Sequence, residues 1–158
     1  MQIALGLGHL HSKDFIYRDL KLENVLMDEF GNANLTDFGM AKIVRDGETA
    51  KTFCGTPEYL APEVLEGGGY NKTADWWSLG ILVYEMMHGL PPFYNKSQSL
   101  MFKLIKEGDI KFSEKVKITP EAHDFIVRIL NKNPKDRLGA KGDADEVLGH
   151  PWFKGLDR

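Results

Sequence analysis

The 158 residues are 42% hydrophobic and 27% charged, enough for one domain with a sizeable core and too few to expect two. Basic (20) and acidic (23) residues are mixed along the chain for a net charge of -3, which excludes the basic stripe of a nucleic-acid binder. The single cysteine, Cys54, allows no internal disulfide and no charged leader with an apolar run opens the sequence, so a reducing, intracellular setting is the expectation.

Residues 1–12 bring Ile3, Leu7 and Leu10 to one face with no capping residue ahead of them, the pattern of a helix already under way. Val25-Leu26-Met27 and Ala33-Asn34-Leu35-Thr36 flank Asp28-Glu29-Phe30-Gly31-Asn32, whose turn residues predict a small hairpin. Residues 40–60 keep no period and are punctuated by Gly47, Gly55 and Pro57. A long loop is expected there, and such loops in compact domains are usually functional. Residues 74–88 are apolar nearly all round, with Glu85 inside and Gly89 before Pro91-Pro92. They are too short and too polar to span a bilayer, and predict a central helix packed on every side. Residues 99–107 place Leu100, Met101, Leu104 and Ile105 on one face before Gly108. Thr119-Pro120 reads as an N-cap with proline at the first helical position, followed by a stripe of Ala122, Phe125, Ile126, Ile129 and Leu130. A last helix is expected to open at Asp143, with Glu146 completing a capping box.

The chemistry lies between Tyr17 and Glu63. Tyr17-Arg18-Asp19-Leu20-Lys21-Leu22-Glu23-Asn24, then Asp37-Phe38-Gly39, then Gly55-Thr56-Pro57-Glu58-Tyr59-Leu60-Ala61-Pro62-Glu63 resemble the catalytic loop, magnesium loop and activation-segment end of protein kinases. Any one block is weak; three in order, with a turn-linked strand pair between the first two, are not a coincidence. The resemblance continues through Asp75-Trp76-Trp77-Ser78-Leu79-Gly80 and Asp136-Arg137-Leu138-Gly139 to Trp152-Phe153. Tyr17 in place of the usual histidine, Leu22 in place of a common proline, Lys51-Thr52-Phe53-Cys54 and the Trp76-Trp77 pair are similar to the AGC group of serine/threonine kinases, near protein kinase B (Akt). Gly69-Tyr70-Asn71-Lys72 resembles the cyclic-nucleotide-dependent members.

The resemblance implies an α+β, mainly α-helical fold: the C-terminal lobe of a protein kinase over residues 1–153, with a small β-hairpin element, and the start of a C-terminal extension at 154–158. It implies ATP and Mg2+ as cofactors and Ser/Thr protein substrates. Asp19 is then the group that accepts or orients the substrate hydroxyl proton, Lys21 the neutralising cation, and Asn24 and Asp37 the magnesium ligands, with Thr56 bridging the aspartate and the lysine. Lys21, Glu23, Asn24, Leu26 and Asp37 face the nucleotide, and Leu26, Leu82 and Met86 match the adenine-pocket floor and the apolar column beneath it. Thr52, with Arg18 and Lys42 within reach, matches the site that an upstream activating kinase phosphorylates. Glu23 and Glu85 match positions that receive substrate arginines. Asp75 matches the residue that bonds the catalytic-loop backbone, and Glu63 with Arg137 a buried ion pair.

Ahead of Met1 there is no Gly-rich loop, strand lysine of the Val-Ala-Ile-Lys type or partner glutamate, which the family uses to clamp ATP. The expectation is a chain lacking the N-terminal lobe, a piece of a competent kinase that is inactive alone. A one-lobed non-catalytic scaffold or decoy is the alternative, and retention of Asp19, Lys21, Asn24 and Asp37 speaks against it. The resemblance further implies a monomeric, cytoplasmic kinase domain with no direct membrane insertion. His9, His11, His88, His123 and His150 lack metal-ligand spacing and read as packing or surface residues, and Cys54 as a small buried hydrophobe.

Overall fold

The computed structural model describes residues 1–157. Helix α1 (Gln2–His11) leads into strand β1 (Phe15–Ile16), a 3-10 turn (Leu22–Asn24) and the hairpin of β2 (Val25–Met27) and β3 (Ala33–Leu35). Strand β4 (Lys42–Ile43) and a 3-10 turn (Pro57–Tyr59) precede helices α2 (Pro62–Glu66), α3 (Thr73–His88), α4 (Gln98–Glu107), α5 (Pro120–Ile129) and α6 (Asp143–Leu148), and a 3-10 turn (Pro151–Phe153) follows. The result is a mainly helical body with two small antiparallel sheets on it.

Helix α3 is the axis. Trp76, Trp77, Ile81 and Leu82 are inaccessible to solvent, and Phe125, Ile126 and Ile129 of α5 close over its far side. Its C-terminus is made by Gly89 at φ 84, a left-handed conformation that glycine adopts without steric cost. The Thr119 side chain accepts from the Ala122 amide at 3.2 Å to cap α5, and all five residues of the expected α5 stripe are buried. The hairpin pairs Val25 with Leu35, Leu26 with Asn34 and Met27 with Ala33. The Asp28 carboxylate folds its turn by accepting from the amides of Phe30 (2.9 Å) and Asn32 (2.8 Å).

Four local expectations need correction. The stretch 40–60 is not wholly loop: β4 pairs antiparallel with β1, Phe15 against Ile43 and Ile16 against Lys42, and Ala50 bridges Tyr70. Two-residue strands lie below the length at which alternation can be read. On α4 the buried face is Met101 and Ile105, while Leu100 and Leu104 are exposed, because the apolar stripe is wider than the surface that covers it. The Asp143 side chain does not cap α6; Gly142 is the N-cap, and Glu146 alone completes the reciprocal half by accepting from the amides of Lys141 (2.9 Å) and Gly142 (2.8 Å). Met86 stands out of the core at 55% exposure, one turn beyond the fully buried Leu82. The face of α3 that buries Leu82 has passed the edge of the core by that turn.

Among the described residues, no helix is long and apolar enough to cross a membrane.

Candidate active site

Residues 17–24 run between β1 and the hairpin, and α3 fixes their backbone. Asp75, 1% exposed in the first turn of α3, accepts from the Tyr17 amide on Oδ2 and the Arg18 amide on Oδ1, both at 2.9 Å. Arg18 sits at φ 70, a conformation that costs a non-glycine residue on the order of 1–3 kcal/mol and persists only where its surroundings hold it. The two bonds to Asp75 supply that hold. They leave the next residue, Asp19, buried at a point where several chains of contact converge.

Three side chains meet at Asp19. Its Oδ2 and its carbonyl accept from the Asn24 amide nitrogen at 3.2 and 2.8 Å. Its Oδ1 accepts from the Thr56 hydroxyl at 3.2 Å and lies 3.7 Å from Lys21 Nζ, which itself donates to the Thr56 oxygen at 3.1 Å. Thr56 can come this close because Gly55, at φ +114, lets the segment pass 2.9 Å from the Arg18 carbonyl, measured to where a Cβ would stand. A side chain there would collide with backbone.

Asp37 is tied to the same centre through Thr36. The Thr36 amide and hydroxyl donate to the Asn24 carbonyl at 3.0 and 3.2 Å, and the Tyr17 hydroxyl donates to the Thr36 carbonyl. Burial, helped by the charges of Asp19, Asp37 and Asp75, pushes the Tyr17 phenol up to about 12, against a smaller lowering from Asn24, so it stays a donor. Asp37 lies at φ 56 with Oδ1 accepting from the Gly39 amide at 3.2 Å, and the residue is exposed. Leu26 (56%) and Phe38 (51%) are exposed as well, Phe38 edge-on to Tyr17 at 5.7 Å.

The remaining expected residues fall in three places. Thr52 is exposed, and its carbonyl accepts from the Tyr70 hydroxyl at 2.8 Å; that hydroxyl accepts from Arg18 Nη1 at 3.3 Å, while Arg18 Nε donates to the Met40 carbonyl at 2.6 Å. Arg18 thus reaches Thr52 through Tyr70, whereas Lys42, exposed on β4, is not part of this chain of bonds. Cys54 is half-buried beside it, its Sγ 3.8 Å from the Tyr70 hydroxyl; it is not the fully buried hydrophobe expected, because its neighbour is polar. Glu85 accepts from the Tyr59 hydroxyl, and burial together with the charges of Glu23 and Glu58 holds its carboxyl above the usual carboxylate value. Three carboxylates therefore share one region with no cation paired to them among the described residues. Arg137, 1% exposed, forks onto Glu63 at 2.6 and 2.9 Å and also donates to the carbonyls of Thr73 and Asn131, both at 3.0 Å.

Sequence reading missed two participants. Tyr70 carries the link between Arg18 and Thr52 but stands outside every motif block. His11 is a buried, hydrogen-bonded group, not a packing or surface histidine: its ring bonds Asp75 and Asp143. Those partners lie 64 and 132 residues away, so no local spacing announces them.

A family model described as "Protein kinase domain" matches residues 1–153. The chain is 49% identical over 156 residues to Protein kinase 2 of Dictyostelium discoideum, and 48% identical over 158 residues to the human RAC-beta serine/threonine-protein kinase. Each match covers 99% of this chain and 32% of the relative. Serine/threonine-protein kinase YPK2/YKR2 of Saccharomyces cerevisiae is 47% identical over 156 residues, 98% of this chain and 23% of that protein. The chain thus spans about a third or less of the length of these relatives. The family match across the convergence at Asp19, with relatives in the AGC group at nearly half identity, means that this chain belongs to the protein kinase domain family.

Proposed function

We propose that this lobe is the catalytic half of a serine/threonine kinase that transfers the γ-phosphoryl of ATP to substrates with arginine upstream of the acceptor. The observation that carries the reading is the contact set of Asp19: a buried carboxylate fixed by Asn24, bridged by Thr56 and accompanied by the Lys21 ammonium. Phosphoryl transfer asks a protein for positioned charge more than for covalent chemistry. In that setting Asp19 accepts the proton of the incoming Ser or Thr hydroxyl, and Lys21 offsets negative charge next to it. Thr56 fixes the spacing of the two.

The residues present fit magnesium. The Asn24 amide nitrogen is turned to Asp19, so its oxygen is the ligand-capable atom, and Asp37 offers an exposed carboxylate. No group of three or more His, Cys, Asp or Glu among the described residues could hold a metal unaided. Two protein oxygens suit magnesium, which takes one or two from the protein and completes its shell with phosphates and water. When bound, the ion neutralises and orients the phosphates. Exposed Leu26 and Phe38 mark a face that an upper lobe and the adenine would cover, and the isolated chain is inactive on this reading. Thr52 is the activation phosphosite, and the Arg18–Tyr70–Thr52 chain supports it because charge added at Thr52 would draw on the Arg18 guanidinium beside Asp19.

The carboxylates of Glu23, Glu58 and Glu85, with no cation on them among the described residues, support arginine recognition, since a guanidinium offers forked hydrogen bonds and relieves their mutual repulsion. In the full-length protein, Glu23→Gln is expected to raise KM for an Arg-containing peptide about tenfold while leaving an Ala-substituted peptide within twofold. Equal losses on both peptides would assign Glu23 to supporting the loop instead.

A further inference from the structure

Helix α4 buries only Met101 and Ile105, and it ends without a left-handed cap: Gly108 leaves at φ -80 and ψ 151, its amide donating to the Leu104 carbonyl at 2.7 Å. The last carbonyls of a helix need partners from elsewhere. Lys132, in the loop after α5, supplies one. Its Nζ donates to the Ile105 carbonyl at 2.7 Å and to the Leu104 carbonyl at 3.3 Å, placing a cation at the negative end of the helix. The same ammonium lies 4.1 Å from the centre of the Phe93 ring and 5.5 Å from that of Trp77. Those two rings are stacked at 5.9 Å and both are buried, so the faces that attract the cation belong to the core around α3. One turn before Ile105, Phe102 stands edge-on to Phe53 at 6.4 Å. Helix α4 also abuts the 3-10 turn Pro57–Tyr59.

We propose that Lys132 is a positioning residue for the segment Phe53–Thr56, acting through α4 and the contact of Phe102 with Phe53. The path runs from Trp77 and Phe93 through the Lys132 ammonium to the end of α4, and from Phe102 to Phe53, three residues before the threonine that bonds Asp19. The segment has little else to hold it. Among the described residues, the backbone of 51–55 makes no bond to other backbone, and its printed anchors before Thr56 are the Tyr70 hydroxyl on the Thr52 carbonyl and the ring of Phe102 on Phe53. An apolar side chain at 132 could cover Phe93 but would leave the Ile105 carbonyl without its donor. With two side chains of α4 in the core, the last turn would then fray and Phe102 would lose its fixed place. The proposal rests on the kinase reading in one respect, the role of Thr56 beside Asp19; the contacts themselves do not.

Cys54, the single cysteine of the 158 residues, lies half-buried inside this segment. The rate at which an aromatic disulfide reagent labels its thiol therefore reads how often the segment opens. Lys132→Met keeps an unbranched stem over Phe93 and removes the ammonium; it is expected to speed labelling about tenfold. Lys132→Arg keeps the charge and the donors and should stay within about threefold of the unmodified chain. Phe102→Ala should speed labelling by a similar factor with Lys132 intact, and the double variant Lys132→Met, Phe102→Ala should be no faster than the faster single one, because both changes cut one path. Urea denaturation of each variant, with labelling followed well below the transition, separates opening of the segment from unfolding of the chain. An unmodified rate in Lys132→Met, or single effects that multiply in the double variant, would overturn the proposal and leave Lys132 a cap for α4 alone. If Lys132→Met fails to fold, Lys132→Gln and Phe102→Ala carry the test, and an unchanged Cys54 rate in either overturns it. No step of the test reads phosphotransfer, so failure of the kinase reading would not imitate failure here.

Discussion

Thr56 Oγ1 donates to Asp19 Oδ1 at 3.2 Å while accepting from Lys21 Nζ at 3.1 Å, so one hydroxyl spaces a carboxylate and an ammonium that are 3.7 Å apart. Thr56→Val keeps the shape of the side chain and removes both bonds. A hydrogen bond to a charged group contributes about 1.5–3 kcal/mol, so kcat of the full-length protein is expected to fall about 10- to 100-fold with little change in KM for ATP. Steady-state kinetics with varied ATP check this; unchanged kcat would make Thr56 a turn residue only.

Glu63 and Arg137 form a bidentate pair with almost no solvent contact. Glu63→Gln leaves the guanidinium buried without a counter-charge, among neutral acceptors that include the carbonyls of Thr73 and Asn131. Breaking one side of such a pair typically costs about 3–5 kcal/mol. Urea denaturation of the variant should show that loss at unchanged m-value, and a loss under about 1 kcal/mol would mean that water reaches the pair.

His11 makes stability depend on pH in a definite direction. Its folded value, about 9, lies above the ordinary 6.5. The stabilisation is therefore fully present below about pH 6.5 and is lost as pH rises through about 9. Its size is on the order of 3 kcal/mol. The difference in unfolding free energy between the unmodified chain and His11→Gln should be largest at pH 6 and shrink by that order at pH 9.5. A difference that is flat between those pH values would mean that the ring is not charged in the fold.

Legibility in the sequence followed the range over which each feature is determined. The β2–β3 hairpin is visible because Asp28, Gly31 and Asn32 define its turn within five residues, and α5 is visible because Thr119-Pro120 caps it locally. The residues around Asp19 are legible as blocks, since Asp19, Lys21 and Asn24 share one loop and Gly55-Thr56 belongs to a second motif. The β1–β4 pairing joins dipeptides with no pattern of their own. His11 is decided wholly by tertiary partners, and Met86 by where the core ends rather than by its own hydrophobicity. Asp143 carries both lessons: its place at the start of α6 is local, but its carboxylate is claimed by Trp76 and His11 instead of the helix amides.

On the proposed function, the side chains converging on Asp19 and Asp37 transfer phosphate. Its most direct measurement is transfer of labelled γ-phosphate from ATP with magnesium to an Arg-containing Ser peptide, by the full-length protein and its Asp19→Asn and Asp37→Ala variants. The expected result is turnover by the unmodified protein and a fall of about 10³-fold or more in each variant, commensurate with loss of a group acting on the transition state. Turnover that survives Asp37→Ala, or an unmodified protein that transfers no phosphate once Thr52 is phosphorylated, would contradict it.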